Sequence, residues 1–559
     1  MVRRIFNFFN REIIGLHEAA YLLAGFSFFS QILGLFRDRL LAGVFGAGQL
    51  LDVYYASFRI PDFIFVTVSS LVSVTVLIPF ILEKIDLGKD EAKKFINHIF
   101  SAFCILIILA GVIVFIFTPQ LAKIFVPGIA GGNYGGDLIT MIRILLLSPI
   151  LLGISNLFGS ITQAYNKFFL YAISPVLYNL GIIIGIIFLY PLFGLTGLVW
   201  GVVLGAIFHL SIQIPSLIEK DMIPKFSWKI DFESIKNVVA LSLPRTITLG
   251  ANQLSTIFLI AIASFMISGS ISVFNFSYNL QSVPMSIIGV SYSLAAFPTL
   301  SRLFIRGDKK KFLEHLISAA RHTIFWSIPV IALFVVLRAQ IVRTILGSGN
   351  FSWNDTRLTA ACLAIFAVSV LAQNLMLLFV RGYYSSGQTK KPLLINLISS
   401  ALIVVLAYVL VQLFNTVPSF KYFMESLLKI EDIPGSVVIM LPLAYSIGTI
   451  INAVAHWISF EIDFENFSKD LWRILFQSLA SSIIGGFAAY ESLGIFVKYF
   501  NTNTLLGIFS QGFFAGIVGI IIQIIILYIL KNPEIKEIWK TLHQKIWKVD
   551  VVVPEQSEL

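Results

Sequence analysis

One recurring unit dominates this chain: about twenty apolar residues, a short polar break, then another apolar stretch, fourteen times between Ala19 and Leu530. A run of that length, at 1.5 Å per residue, crosses the ~30 Å hydrocarbon core of a bilayer. Lipid offers no hydrogen bonds to a bare backbone, so each run must satisfy its own N–H and C=O groups as a helix. The expected fold is therefore an all-α polytopic membrane protein of fourteen transmembrane helices. With 57% hydrophobic and 13% charged residues, no polar stretch is long enough to bury a core of its own.

The net charge of +10 invites a nucleic-acid reading, but the basic residues are scattered over many connections rather than gathered on one module. No nucleic-acid partner is expected. Cys104 and Cys362 both lie inside apolar segments, which favours small core residues over a disulfide or a zinc site. His209 and His456 fall within spans without a second His or Cys at ligand spacing, so no metal is expected. Gly46 to Gln49 lacks the strand, lysine and hydroxyl of a phosphate loop. No constellation for enzymatic chemistry or a cofactor emerges. Arg3, Arg4 and Arg11 precede the first apolar run, but no small-residue cleavage site follows it, so Ala19 onward reads as a retained span.

The expected spans are 19–45, 60–82, 96–117, 138–162, 169–190, 195–218, 238–267, 271–298, 321–347, 357–381, 391–415, 436–460, 471–493 and 504–530. An even number places both termini on one side. One set of connections carries Arg3, Arg4 and Arg11, the lysines from Lys84 to Lys94, Lys167, the lysines from Lys220 to Lys236, the cluster Arg302 to Arg321, Arg381 with Lys390 and Lys391, and Lys469 with Arg473. The C-terminal lysines between Lys531 and Lys548 belong to the same set. The alternate set holds only Lys123, Arg338, Arg343, Arg357, Lys421, Lys429 and Lys498. The basic side is cytoplasmic, and so are both termini.

A partial repeat runs through the chain. Asp52-Val-Tyr-Tyr-Ala-Ser-Phe-Arg-Ile-Pro61 lies over Asn275-Phe-Ser-Tyr-Asn-Leu-Gln-Ser-Val-Pro284, and Ala164-Tyr165 with Pro175 echoes Gly382-Tyr383 with Pro392. The natural parse is a cytoplasmic N-terminus (1–18), a first lobe of six helices (19–218), a linker (219–237), a second lobe of six (238–460), a trailing pair (471–530) and a basic cytoplasmic tail (531–559). Parallel repeats of this kind flank a central site in many transporters.

Charges inside the bilayer need a reason, since each costs ~2.5–3.5 kcal/mol at the centre of a helix. Arg37 and Arg39 flank Asp38 in the first span, Arg59 stands just before Pro61, and Asp52 and Asp62 accompany them. Gln31, Gly34 and Asp38 share a helical face by their spacing. Two readings stay open: an interfacial anchor that snorkels, or guanidiniums lining a cavity for an anionic group such as phosphate. The second half differs. No acid occurs between Glu233 and Asp308, and its polar positions, among them Asn252, Asn275 and Asn279, are uncharged. A cavity between such halves would be positive on one side and neutral on the other, and its empty form would respond to membrane potential.

Arg37-Asp38, Phe45-Gly-Ala-Gly48, Asp52 and Phe58-Arg-Ile-Pro61 together resemble the signature of the MurJ/MviN family of lipid II flippases, in the MOP exporter superfamily. Pro175-Val-Leu-Tyr-Asn179, Gly194 to Gly205, Gln213, Leu243-Pro-Arg245, Gln253 and Arg381-Gly-Tyr-Tyr384 extend the likeness over roughly residues 20 to 460. The resemblance implies fourteen helices and alternating access that carries an undecaprenyl-pyrophosphate-linked glycopeptide to the outer leaflet of the bacterial cytoplasmic membrane. Membrane lipids and the cell-wall synthesis machinery are the implied partners. It also implies a substrate-binding role for Arg37, Asp38 and Arg59, with Asp52, Gln31 and Asn279 beside them. The chain departs from the family where Gln31, Phe65 and Asn279 replace cavity arginines, where Ser69-Ser70-Leu71 replaces Ala-Glu-Gly, and where Leu259 replaces an acid that some members use for sodium. A flippase for another polyprenyl-pyrophosphate glycan is the alternative reading, and a scaffold that has lost transport is a third.

Overall fold

The computed structural model describes residues 16–69, 74–229, 231–464 and 467–535. The described residues are overwhelmingly helical and contain no strand. Among the described residues, ten helices are long and apolar enough to cross a membrane, or eleven if Trp353–Val368 and Val370–Ser385, broken at Ser369, form one span. The three other expected spans are helical too. Leu16–Phe45 contains Arg37, Asp38 and Arg39. The second runs as Arg59–Val68 and Val74–Leu87. The seventh lies in Phe232–Ala263, which includes the apolar stretch Gly250–Ala263. Fourteen spans are compatible with these elements. Of the expected features, Ser70 and Leu71, residues 1–15 and residues 536–559 lie outside the described residues.

Long helices here leave large apolar side chains uncovered, such as Leu109, Ile113, Ile483 and Phe487. In water such surfaces would be costly; in lipid they are the solvated face. This is a multi-pass membrane protein.

Packing divides the chain into two units. The first comprises Met1–Val283, Val342–Phe366 and Gln388–Asn452; the second comprises Pro284–Ile341, Ala367–Gly387 and Ala453–Leu559. In the first unit, Leu77, Ile81, Phe95, Phe103, Leu157 and Ile161 form an apolar core. Elsewhere in it, glycines do what bulk cannot. A methyl group on Gly181 would fall 2.2 Å from Gly205 Cα, and one on Gly185 would fall 2.5 Å from Gly201 Cα. The helices Phe168–Ile184 and Leu195–Ser211 therefore meet backbone to backbone, the small-residue packing expected where lipid removes the hydrophobic drive. The second unit packs on rings: Phe312, Phe379, Tyr383, Phe460 and Phe467 are all fully buried.

Two helices contain a π turn. Gly185–Leu189 follows Phe168–Ile184, and Met285–Val290 follows Pro284. Pro191 follows the first of these: proline removes a backbone donor and crowds the turn before it, and a widened turn there relieves that crowding.

Candidate functional site

Three of the intramembrane charges that the sequence groups together have different fates. Arg37, at the inner side of the first helix, forms a fork on Asp38: Nε and Nη2 both donate to Asp38 Oδ1, at 3.0 and 2.8 Å. Its Nη1 donates to Asn179 Oδ1 at 3.1 Å. Asn179 is itself held by its amide N–H groups, which donate to Ser30 Oγ and to the carbonyls of Ser30 and Pro175. The first helix passes close to this amide at Gly34, whose Cβ position lies 4.0 Å from Asn179 Oδ1, an ordinary contact distance. Asp38 is 2% exposed and takes a further bond on Oδ2 from Asn279 Nδ2, at 3.0 Å.

These groups wall a cavity of about 230 Å³, lined by Gln31, Arg37, Asp38, Asn179, Asn279 and Ser282 among others. Gln31 Oε1 is buried there without a hydrogen-bond partner. A guanidinium has five N–H donors, and three of Arg37's are committed, which leaves two for a ligand. A planar fork with spare donors, beside amide and hydroxyl groups, suits an oxyanion. The sequence expectation of a positive cavity changes here: the Arg37 charge is matched within the wall by the Asp38 carboxylate.

Arg39, two residues on, points elsewhere. Its Nη1 donates to the carbonyls of Thr344 and Ile345 at 2.8 and 3.2 Å, the exposed end of a helix that finishes at Leu346. It is a helix cap, the favoured place for a cation. Arg59 is 8% exposed, donating from Nη2 to Asn275 Oδ1 at 2.7 Å and from Nε to the carbonyl of Tyr55 at 3.2 Å. Asp52 accepts from the backbone N–H of Gly269 at 2.6 Å and from the N–H and hydroxyl of Ser272 at 2.7 and 2.6 Å. Arg59 and Asp52 are not among the residues lining the Arg37 cavity; each instead joins the first repeated segment to the neighbourhood of the second.

Asn179 carries the largest share that residue-by-residue reading left without a role. A lone amide inside the apolar run Pro175 to Ile184 was its available signal. Leu259 is fully buried among Ile257 and Ile260, so an apolar packing position stands where a carboxylate would be needed. Among the described residues no group of three His, Cys, Asp or Glu side chains could hold a metal ion.

The family model described as "Lipid II flippase MurJ" matches residues 41–511. The chain belongs to the MurJ family. The probable lipid II flippase MurJ of Bdellovibrio bacteriovorus is 30% identical over 409 residues, covering 71% of this chain and 76% of that protein. The lipid II flippase MurJ of Burkholderia cenocepacia is 24% identical over 387 residues, covering 68% and 75%. Among solved structures, a lipid II flippase MurJ in an inward closed conformation is 23% identical, with a TM-score of 0.70 over 93% of this chain and all of that one. A multidrug resistance MATE transporter of the MOP superfamily is 14% identical, with a TM-score of 0.62 over 79% of this chain and 96% of its own. These two structural likenesses show the shared fold. The membership expected from Arg37-Asp38 and Phe58 to Pro61 is thus confirmed across most of the chain.

Proposed function

We propose that this protein is a lipid II flippase of the bacterial cytoplasmic membrane, with both termini cytoplasmic, and that it works by alternating access rather than by catalysis. The observation that carries the reading is the family match over residues 41–511, joined to a cavity wall whose Arg37 keeps donors for an oxyanion. In this reading the pyrophosphate of the substrate meets Arg37. Gln31, Asn279 and Asn179 supply amide contacts, Asp38 orients the guanidinium, and Arg59 and Asp52 hold the segments that carry them. The six-helix lobes 19–218 and 238–460 are defined by span order, whereas the two units above are defined by packing. Membrane lipids surround the carrier, and wall-building reactions at the outer face consume its product.

Neutral amides at Gln31 and Asn279 support a second reading, a flippase for a different polyprenyl-pyrophosphate glycan. One experiment separates the two. Expression in cells depleted of their own lipid II flippase should restore wall synthesis; failure to rescue with normal membrane levels would favour the second reading.

The driving force follows from the same wall. Leu259 and the acid-free stretch between Glu233 and Asp308 give no sodium-binding carboxylate in that region. An inside-negative potential is worth ~2.3 kcal/mol per charge per 100 mV to an anion moving the full field outward. Because Asp38 balances Arg37, the empty cavity gains little from the field on its return. Flipping in vesicles should slow when the potential is collapsed and ignore replacement of sodium by potassium. A strict sodium requirement at zero potential would overturn this account.

A further inference from the structure

The connection between the helices Ile214–Lys220 and Phe232–Ala263 carries large apolar side chains that the protein leaves nearly half or more uncovered. Phe226 is 46% exposed and Trp228 is 83% exposed. A loop left in water would hide such rings.

Its backbone is fastened. Lys225 N donates to Asn97 Oδ1 at 2.7 Å, and Ser227 N donates to Ser101 Oγ at 2.8 Å. The two rings meet edge to face at 5.1 Å. Asn97 and Ser101 sit on the helix Lys89–Phe125, whose charged start ends at Lys94 and whose apolar run begins at Phe95. Four residues of helix rise about 6 Å. From Lys225 to Ser227 the chain therefore descends along that helix, past the charged collar, and Trp228 follows directly after the deeper anchor. Lys225 and Lys229 flank the dip, and their stems are long enough to return the ammonium groups to the headgroups. Two nearby acids are engaged elsewhere, Asp221 with Lys89 and Lys93 and Glu219 with Lys167.

We propose that residues 225–229 dip into the lipid leaflet on the lysine-rich side, with Phe226 and Trp228 at the boundary between headgroups and acyl chains. The partner of this surface is the bilayer, where an indole is favoured for its apolar ring and its N–H. The proposal is independent of which substrate the cavity takes.

The test uses the full-length protein in vesicles of phosphatidylcholine and phosphatidylglycerol. Part of the lipid is brominated either near the top of the acyl chains or deep within them. Subtracting the emission of Trp228→Phe from that of the unaltered protein isolates Trp228. The expected difference signal is blue-shifted, lost with shallow bromines, weakly affected by deep ones, and untouched by iodide in the water. If Trp228→Phe accumulates poorly, an environment-sensitive dye on Trp228→Cys should show the same pattern. A signal quenched by iodide and by neither lipid would overturn the proposal and mark a water-facing surface open to a protein partner. A signal quenched by none of them would overturn it as well.

Discussion

Asp38 and Glu534 are both buried carboxylates paired with an arginine, and what surrounds them differs. Asp38, in the first unit, forms one wall of a cavity and shares Arg37 with Asn179. Glu534, in the second unit, is fully buried; it receives Arg321 Nε at 2.8 Å and lies 3.2 Å from His322 Nε2. Asn532 and Gln477 close the same cluster, with Asn532 Oδ1 accepting from Glu534 N and Asn532 Nδ2 donating to Gln477. Removing the arginine of either pair leaves a buried carboxylate without its counter-ion. Beside Asp38 lies a cavity of about 230 Å³, and Arg37 lines it. On the proposed reading, a buried ion pair is a tether in one region and a receiving site in the other.

The largest expected effect is at Arg37. Arg37→Ala should abolish transport in the depletion assay while membrane levels stay near normal. Asp38 keeps its Asn279 bond, and the polar cavity admits water. Arg37→Lys should recover only part of the activity, because a point charge lacks the planar fork. Full activity for Arg37→Ala would erase the contrast with Glu534.

Glu534→Ala should behave in the opposite way. The Arg321 side chain is 30% exposed and can turn to solvent, so the cost is about 1–3 kcal/mol. The thermal midpoint of purified protein should fall by several degrees, with transport per folded molecule unchanged. Loss of transport at full stability would mean that the second cluster, too, is part of the working site.

Arg39→Ala tests whether proximity in sequence to Arg37 matters. Removing the cap on Thr344 and Ile345 should cost about 1 kcal/mol, read as a small drop in thermal midpoint, with transport retained. A null phenotype would place Arg39 with Arg37.

The smallest effect concerns Asp221, outside the spans. A hydrogen bond and charge from Lys93 hold its carboxyl below the usual carboxylate range. Any stability it gives is present at neutral pH and fades as pH falls through that lowered range. The group is fully exposed, so Asp221→Asn should leave the thermal midpoint unchanged between neutral pH and about pH 5.

Much of the fold was legible because lipid imposes a length and a polarity on every span. The apolar runs match helices along the chain, and prolines inside them mark places such as Pro284 where a helix widens. The interruptions at Phe58 and Leu146 fall just before Pro61 and Pro149, whose missing N–H leaves the carbonyls of Ser57 and Leu145 without a helical partner, whereas the one at Ser369 was not legible, since no glycine or proline stands near it. The site was half legible. Gln31, Asp38 and Asn279 reach one cavity as their polarity suggested. Arg37 and Arg39, however, look alike in a linear string, and only the carbonyls at Thr344 and Ile345 separate them. Asp52 carries the same ambiguity: its partners are backbone N–H groups more than two hundred residues away, which no local pattern announces.

Those partners of Asp52 bear on how such a chain can diverge. The segment Asp52 to Pro61 and its echo Asn275 to Pro284 are joined by Arg59 to Asn275 and by Tyr55 against Phe276 at 5.7 Å, while Asp52 grips Ser272 just ahead of the echo. Copies that grip each other cannot drift separately, because a charge gained or lost in one strands a buried group in the other. Divergence here has to proceed by matched exchanges: a cation on one side with an amide opposite, an acid on one side with free N–H groups opposite. The inequality between the two segments, charged in the first and neutral in the second, is then a form of fit, each segment complementing the other rather than duplicating it.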